Sequence, residues 1–234
     1  MRPVANLLVL PGKNCHHETA YWFRQAGANA RIILLNQVLK RKVKLSDCDL
    51  FILCGGFGWG DDIRSGVISA LDLMYRAELA EAIEIMLERG VPFVGICNGF
   101  QELARTGLLN GNFRKPTIML DWNQSATFEH WRGTKVVVHH HEGCPWTEGL
   151  DGFEFHAPVA MGEGVPVYLG QGEPDWHVAL TYGSFEGTNE YPISPNGSPI
   201  AGLSYGNILG LFPHIERNPK EGLVIFENGV KAVR

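Results

Sequence analysis

The sequence lacks any long apolar stretch. Its first residues run directly into a candidate strand, Val4 to Leu10, and nowhere are there enough consecutive apolar residues for a signal peptide or a membrane span. The five cysteines form no C-x-x-C pair. An odd number of scattered cysteines is typical of reduced thiols, so we expect a cytoplasmic protein without a membrane anchor.

Basic residues are also scarce. The chain has 20 Lys and Arg against 25 Asp and Glu, a formal net charge of -5, and its only basic run is Lys40-Arg41-Lys42. This composition leaves no basic patch for nucleic acid. Neither G-x-x-x-x-G-K-[ST] nor G-x-G-x-x-G occurs, so the chain shows no phosphate-binding loop of its own for ATP or a dinucleotide cofactor.

What the sequence does contain is an alternation of strand and helix over its first half. Its 234 residues, 45% of them hydrophobic, fit a single domain spanning 1–234. Continuous apolar strands alternating with helices predict an α/β fold with a mainly parallel central sheet flanked by helices. We place strands at Val4–Leu10, Ala30–Leu35, Leu50–Cys54 and up to Ile96, and helices at Glu18–Gln25, Val67–Arg89 and Gly99–Thr106.

The second half is rich in short β-like runs. Gly, Pro and Asn separate these runs, as antiparallel or mixed strands with turns require. We place strands at Ile118–Trp122, Lys135–His141, Val165–Leu169, His177–Tyr182, Ile200–Tyr205 and Ile208–Phe212. Near the C-terminus, Asn228-Gly229 within Leu223–Val233 predicts a hairpin-like turn.

Residues 95–101, Gly-Ile-Cys-Asn-Gly-Phe-Gln, place Cys97 on a sharp turn between an apolar strand and a helix. Gly95 and Gly99 suit such a turn, because a Cβ at either position would crowd the backbone. A thiol at a helix N-terminus faces unpaired N–H groups and the positive end of the helix dipole, which favour the nucleophilic thiolate. Taken alone, the turn fits equally well a buried structural cysteine at the end of a core strand.

A nucleophilic cysteine needs a base and a group that orients the base. Pro213-His214-Ile215-Glu216 follows the apolar run Ile208–Phe212. Alternate residues at a strand end point the same way, so His214 and Glu216 can lie side by side. The carboxylate would then hold the imidazole in one tautomer and stabilise its charged form. Taken alone, the pattern also fits an incidental ion pair in an exposed turn.

A glycine-rich loop, Gly55-Gly56-Phe57-Gly58-Trp59-Gly60-Asp61, follows the strand Leu50–Cys54. Glycines allow a backbone N–H to turn towards a developing oxyanion, and the N–H of Asn98 is a candidate second donor. The alternative is a flexible surface turn without a role in chemistry.

Together these motifs resemble the class I (triad) glutamine amidotransferases. The likeness is strongest to the glutaminase subunits of phosphoribosylformylglycinamidine synthase, and the motifs occur in order from residue 7 to about 218. The further matching segments are Pro11–Cys15, Gly60-Asp61 with Arg64 and Gly66, Gly162–Gly164, Asn196–Ser198 and Gly206–His214 with Arg217. The resemblance implies a flavodoxin-like α/β fold with a β-rich second half.

The resemblance also implies a reaction. It makes Cys97 the nucleophile, His214 the general acid/base and Glu216 the residue that orients His214. The thiolate attacks the side-chain amide of L-glutamine, the imidazole protonates the departing ammonia, and water hydrolyses the thioester to glutamate. Gln101 would contact the substrate.

The resemblance further implies that Gly56 and Asn98 donate backbone N–H groups to the oxyanion. The implied partner is an ATP-using synthetase subunit, joined in many bacteria by a small accessory subunit. The glutaminase itself would carry no cofactor and no metal, and would bind neither nucleic acid nor membrane. Because ammonia becomes unreactive ammonium in water at neutral pH, its acceptor must lie nearby.

Three positions depart from the family pattern. Met161 stands where the family usually has His, Val165 where a basic residue is common, and Ile215 in place of the usual proline. These departures leave open a related glutaminase that serves a different synthetase. Two further alternatives are a stand-alone cysteine hydrolase, against which Gln101 argues, and a non-catalytic regulatory subunit, against which the intact triad argues.

The run His139-His140-His141-Glu142 invites a zinc interpretation. Consecutive residues of a strand point to opposite faces, so three adjacent histidines cannot all bind one ion from a regular strand. We therefore expect no metal site at this run. We expect His16-His17 to begin a helix, and Cys15 to be a loop thiol.

Overall fold

The computed structural model describes residues 1–183, 194–217 and 219–234. Within these residues the strands are β1 Val4–Val9, β2 Asn29–Leu34, β3 Leu50–Leu53, β4 Phe93–Ile96, β5 Ile118–Trp122, β6 Glu129–Val138, β7 Glu154–Met161, β8 Glu163–Tyr168, β9 His177–Tyr182, β10 Ile200–Tyr205 and β11 Ile208–Leu211. The α-helices are α1 His16–Gln25, α2 Leu35–Leu39, α3 Val67–Tyr75, α4 Ala77–Glu88, α5 Asn98–Arg105 and α6 Pro219–Lys231.

Nine of the described strands form one sheet, in the order β2-β1-β3-β4-β11-β10-β9-β6-β7. The strands from β2 to β11 run parallel, whereas β10, β9, β6 and β7 extend the sheet with antiparallel pairs. A separate two-stranded antiparallel sheet joins β5 to β8. The predicted fold class is confirmed, since a parallel half comes first and a β-rich half follows.

The parallel half of the sheet is buried because its strands are apolar on both faces. Every residue of β3 and β4 is buried, as expected for parallel strands covered on both sides. Two groups of helices provide the cover: α1 packs against α6, and α3 packs against both α4 and α5. None of the helices in the described ranges combines the length and the apolar character needed to cross a bilayer.

The site lies at the carboxyl edge of this parallel half. In open α/β sheets ligands bind beyond the carboxyl ends of the strands. The loops that follow β1, β3, β4 and β11 carry Cys15, Gly56, Cys97 and His214, and these four strands are neighbours in the sheet. The topology therefore brings together residues that are far apart in sequence.

Two predicted elements in the middle of the chain are wrong in part. The helix expected over Val67–Arg89 is two helices, α3 and α4, because Arg76 between them has an extended backbone (φ -76°, ψ 120°). The strand expected at Lys135–His141 is the second half of a longer strand, β6, which ends at Val138. Its partner β7 was not predicted from the sequence pattern.

The hairpin-like turn predicted at Asn228-Gly229 is wrong, because this segment belongs to α6. Its buried positions recur with helical spacing, at residues 222, 225, 226, 229 and 230. Gly229 lies at the helix contact with the indole of Trp146, where a Cβ would overlap the ring. The glycine thus marks a close approach between elements and not a turn.

Candidate active site

Cys97 occupies a strained turn between β4 and α5. Its backbone has φ 52° and ψ -108°, a region that residues with a Cβ rarely adopt. A Cβ at Gly95 would come within 2.5 Å of the Gly99 carbonyl oxygen, and one at Gly99 would overlap the carbonyl oxygen of Leu53. Both glycines are therefore needed for close backbone approach, as the sequence predicted.

The turn presents the thiol at the end of the sheet. The backbone N–H of Cys97 donates to the carbonyl of Leu211 at 2.7 Å, which ties the turn to β11. Its Sγ lies 3.2 Å from the carbonyl oxygen of Ala160 in β7 and can donate to it. The side chain is largely buried but reaches a cavity.

His214 and Glu216 form a short, buried pair. Nδ1 of His214 lies 2.6 Å from Oε1 of Glu216, and both residues are 2% exposed. The predicted geometric reason is wrong: Glu216 lies in a one-turn 3-10 helix, Ile215–Arg217, and not on a strand end. The turn brings the carboxylate beside Nδ1 of the ring. The backbone N–H of His214 donates to the carbonyl of Pro158, which holds the residue before the turn in place.

The surroundings of His214 favour its charged form. Burial alone would lower the pKa of the imidazole. The charges of Cys97 and Glu216 raise it, and hydrogen bonds between the ring and the thiols of Cys15 and Cys97 raise it further. The raising effects prevail, so the pKa of His214 is well above its ordinary value. This direction of shift favours a ring that holds a proton it can deliver.

The glycine-rich loop brings the backbone of Gly56 to the same edge of the sheet. Gly56 has φ 138°, and a Cβ there would stand 2.6 Å from the Cα of Lys13. The loop pairs with the residues after β1 through the bonds Asn14 N–H to Gly55 O and Phe57 N–H to Gly12 O. These two bonds leave the N–H of Gly56 out of the pairing.

A cavity of about 240 Å³ lies over these groups. Three of the predicted site residues, Cys97, His214 and Gly56, line it. The full lining is Asn14, Gly56, Phe57, Cys97, Phe128, His130, Ala160, His214 and Arg217. A thiol, a protonated imidazole and a backbone donor meeting in one small cavity can attack a carbonyl, stabilise the oxyanion and protonate a leaving group.

Asn98 and Gln101 lie behind the cavity, with their side chains bonded to protein. The amide of Asn98 accepts from the N–H of Gly58 at 3.0 Å and donates to Oε1 of Gln101 at 2.9 Å. Nε2 of Gln101 donates to the carbonyl of Glu163 at 2.8 Å. Asn98 is the first residue of α5, so its backbone N–H has no partner within the helix. The side chain of Gln101 contacts the frame of the site, and its predicted contact with substrate stays a prediction.

A comparison with known families agrees with this geometry. The CobB/CobQ-like glutamine amidotransferase domain matches residues 2–222, which is nearly the whole chain.

The chain belongs to this amidotransferase family.

Curated relatives extend the comparison. Phosphoribosylformylglycinamidine synthase subunit PurQ of Dehalococcoides mccartyi is 34% identical, over 97% of this chain and 96% of the relative. The protein of the same name from Treponema denticola is 32% identical, over 93% of this chain and 89% of the relative. The amidotransferase thus matches these relatives almost from end to end.

Solved structures give the same picture of the fold. A chain in the structure of PurLQS from Thermotoga maritima superposes with a TM-score of 0.79 at 30% identity, covering 100% of both chains. A glutamine amidotransferase from Thermotoga maritima superposes with a TM-score of 0.56 at 16% identity, over 99% of this chain and 85% of the other. The second likeness concerns the fold alone.

The amidotransferase has a buried ion pair that sequence reasoning missed. Nζ of Lys13 lies 2.7 Å from Oε1 of Glu102, and both side chains are fully buried. The same Nζ donates to Oδ1 of Asn98 at 2.7 Å and to the carbonyl of Cys54 at 2.9 Å. One ammonium thereby joins the segment after β1 to the end of β3 and to α5. The available signal was the Lys in the family-like segment Pro11–Cys15.

A second missed cluster surrounds Glu163. Its carboxylate is 2% exposed and forms ion pairs with Arg64 at 2.9 Å and Arg105 at 2.7 Å. The neighbouring departures from the family pattern lie close by. Met161 is buried and its carbonyl accepts from Asn123, while Val165 pairs with β5 in the small sheet.

Cys15 has more partners than a loop thiol needs. It is 3% exposed, its Sγ accepts from the guanidinium of Arg217 at 3.0 Å, and its thiol lies 3.1 Å from Oδ1 of Asn14. Its sulfur also lies within 4.8 Å of a nitrogen of the His214 ring. Cys15 is a loop residue, as predicted, and it contacts both Arg217 and Asn14.

The adjacent histidines point to separate partners. The ring of His139 bonds to Thr181 at 2.8 Å, and His140 bonds to Thr147 at 3.0 Å. His141 stacks on His177, with ring centroids 3.7 Å apart. The three rings therefore do not converge on one point.

Proposed function

We propose that this amidotransferase is the glutaminase subunit of phosphoribosylformylglycinamidine synthase in de novo purine biosynthesis, formed as a single domain over 1–234. It hydrolyses L-glutamine to glutamate and ammonia. The observation that supports the chemistry is the meeting of Cys97 with the buried His214–Glu216 pair in one cavity. The observation that supports the pathway is the end-to-end match to relatives named subunit PurQ.

In the proposed reaction the Cys97 thiolate attacks the side-chain amide carbon of glutamine. A tetrahedral oxyanion forms, and the backbone N–H groups of Gly56 and Asn98 donate to it. Both groups are fixed before substrate binds, Gly56 by its pairing with the segment after β1 and Asn98 by the start of α5. The stabilisation then costs no reorganisation during the reaction.

His214 then protonates the leaving nitrogen, and the tetrahedral intermediate collapses to a glutamyl thioester and ammonia. The ring next takes a proton from water, which attacks the thioester and releases glutamate and the Cys97 thiolate. Glu216 holds Nδ1 so that Nε2 faces the reacting atoms.

Ammonia is useful to the synthase only if it reaches its acceptor unprotonated. The proposed partner is therefore the synthetase subunit, with the small accessory subunit, as the PurLQS structure from Thermotoga maritima names three components for a related complex. The proposed location is the cytoplasm, where purine synthesis would use the ammonia.

The departures at Met161 and Val165 favour one alternative, a glutaminase that serves another ATP-dependent synthetase. Complementation of a purine auxotroph lacking its own glutaminase subunit separates the two. Growth supports the purine assignment. Absence of growth from a protein that still hydrolyses glutamine would contradict it.

The glutaminase assignment is tested by glutamine hydrolysis with and without the synthetase partner. We expect weak hydrolysis alone, stimulation by the partner, and no hydrolysis by Cys97→Ala in either condition. Cys48→Ala is the matched control, since burial raises the pKa of that thiol to about 12 and keeps it from acting as a nucleophile. Equal hydrolysis by Cys97→Ala and the parent would make the nucleophile assignment wrong.

A further inference from the structure

Three buried groups of different chemistry meet beside the cavity. They are the Cys15 thiol in the loop after β1, the imidazole of His214 after β11 and the carboxylate of Glu216 in the following turn. One sulfur, one nitrogen and one oxygen from these residues all lie within 4.8 Å of one another. No other such group of three occurs among the residues that the structure describes.

The proposed reaction uses two of these groups and leaves the third without a task. His214 and Glu216 belong to the triad, whereas Cys15 does not line the cavity. Its sulfur nevertheless lies within 4.8 Å of a nitrogen of that imidazole. One oxygen of Glu216, Oε2, is buried and has no hydrogen-bond partner. The Glu216 carboxylate therefore has an oxygen free to coordinate, whereas the Cys15 sulfur becomes free only when the Arg217 guanidinium moves away.

We propose that Cys15, His214 and Glu216 form an inhibitory binding site for Zn²⁺. Thiolate, imidazole and carboxylate are the ligands that zinc takes in proteins, and a fourth position can hold water. Mg²⁺ and Ca²⁺ prefer sites made of oxygen alone, so the donor set selects against them. The binding claim is independent of the proposed function, and only the inhibition rests on it.

The distances suit a zinc ion after a small adjustment. Zinc bonds are about 2.3 Å to sulfur and about 2.0–2.2 Å to nitrogen and oxygen, which puts tetrahedral ligand atoms roughly 3.2–3.6 Å apart. Separations of up to 4.8 Å must close by as much as about 1.2–1.6 Å. Nδ1 of His214 and Oε1 of Glu216, now 2.6 Å apart, must open by a smaller amount. The ion replaces the proton between them, and that proton and the thiol proton pass to solvent.

Arg217 is the group that must move. Its guanidinium donates to Cys15 at 3.0 Å, and its charge would oppose a cation there. Its side chain is 37% exposed and lines the cavity, so it can turn towards solvent and open a path to the sulfur. Zinc on Nδ1 then separates the imidazole from Glu216. Without that orientation His214 no longer delivers protons correctly, so hydrolysis stops.

The competing possibility is zinc bound between Cys97 and His214, as a nucleophilic thiol and its base can also hold a metal. Zinc binding is measured on the full chain by competition with a chromogenic zinc indicator, in the parent, Cys15→Ser, Cys97→Ala and the distant control Cys144→Ser. We expect Cys15→Ser to weaken binding at least about tenfold, because even losing a group that orients a ligand costs about 10- to 100-fold. We expect Cys97→Ala and Cys144→Ser to bind like the parent.

Loss of binding in Cys97→Ala with retention in Cys15→Ser would overturn the proposal, as would no binding by the parent. If Cys15→Ser does not fold, Co²⁺ gives a second measurement on the folded Cys97→Ala protein. A thiolate-to-cobalt charge-transfer band is expected there, and it should disappear in the double variant Cys97→Ala/Glu216→Gln. Persistence of the band with unchanged cobalt affinity would contradict the three-residue site.

The activity arm separates this proposal from the proposed function. Zinc should inhibit glutamine hydrolysis over the concentrations at which it binds, and a chelator should restore the rate. Zinc binding through Cys15 in a protein without any glutaminase activity would leave the site standing and refute the function. A protein that hydrolyses glutamine but neither binds zinc nor is inhibited by it would refute the site and leave the function standing.

Discussion

At the scale of single residues, His214 is the group on which the chemistry depends. Its ring lies between two thiols and a carboxylate, and their combined effect raises its pKa against the opposing effect of burial. Glu216 is the one carboxylate in direct contact with the ring among the described residues. Its charge and its hydrogen bond act on the same atom, Nδ1.

Replacing Glu216 with Gln should lower activity and change its pH dependence. Loss of the charge lowers the pKa of His214, so the ring loses its proton at a lower pH than in the parent. We expect the alkaline limb of kcat/KM to move to lower pH. We also expect kcat to fall roughly 10²- to 10⁴-fold. Profiles of glutamine hydrolysis against pH for both proteins provide the measurement, and superimposable limbs would contradict the assigned role.

Sequence patterns could place the triad but not its neighbours. Cys97 is marked by small residues after an apolar strand, and His214 with Glu216 by a two-residue spacing. Cys15 has no such local sequence pattern. Its proximity to His214 and Arg217 arises only when the sheet brings the loops after β1 and β11 to the same edge. The side-chain bonds of Gln101 are equally invisible in sequence.

At the scale of elements, the site depends on how closely α5 approaches the sheet. The backbone of Gly99 lies against the carbonyl of Leu53 with no room for a Cβ. Neither group can move without shifting the strand or the helix, and the turn at Cys97 connects directly to that helix. The conformation of Cys97, the proposed nucleophile, is thus a consequence of helix packing.

Gly99→Ala should therefore both destabilise the protein and reduce glutamine hydrolysis. Overpacking a tight core contact costs about 1–3 kcal/mol, and backbone is the group that must yield here. Gly133→Ala is the control, because a Cβ there meets nothing within 4 Å. Urea denaturation and steady-state rates of the two variants test this. A Gly99→Ala protein as stable and as active as the control would show that the approach is not needed.

The buried pair of Lys13 and Glu102 ties two loops to α5, and Lys13→Met should break that connection. Burial already raises the pKa of Glu102, and the opposing effect of Lys13 would be lost. Removing one partner of a buried pair costs about 3–5 kcal/mol. Lys44→Met is the matched control, since its pair with Asp47 is 3.8 Å long and exposed and is worth little. Equal urea midpoints for the two variants would contradict a structural role for the buried pair.

Element boundaries show where sequence reasoning stops. The break between α3 and α4 falls at Tyr75-Arg76-Ala77, where neither Gly nor Pro gives a signal. In α6 the opposite occurs, because Asn228-Gly229 favours a turn by local preference but tertiary packing against Trp146 selects a helix. Local pattern fails in both places because the deciding contacts are distant in sequence.

At the scale of the whole molecule, strand order explains how the active site assembles. β1, β3, β4 and β11 are adjacent, so their carboxyl ends bring a thiol, a glycine-rich loop, the proposed nucleophile and the proposed base to one edge. The alternation of strand and helix was enough to predict the parallel half of the sheet. The position of β11 between β4 and the antiparallel strands could not be predicted, since it depends on pairing across the chain.

The central claim is that Cys97 carries a glutamyl thioester during turnover. The most direct measurement is acid quenching during steady-state hydrolysis of glutamine, followed by mass spectrometry of the cysteine-containing peptides. We predict a glutamyl adduct on the peptide containing Cys97 in the parent and in Cys15→Ser, and none in Cys97→Ala. An adduct on another residue, or continued ammonia release by Cys97→Ala, would contradict the account.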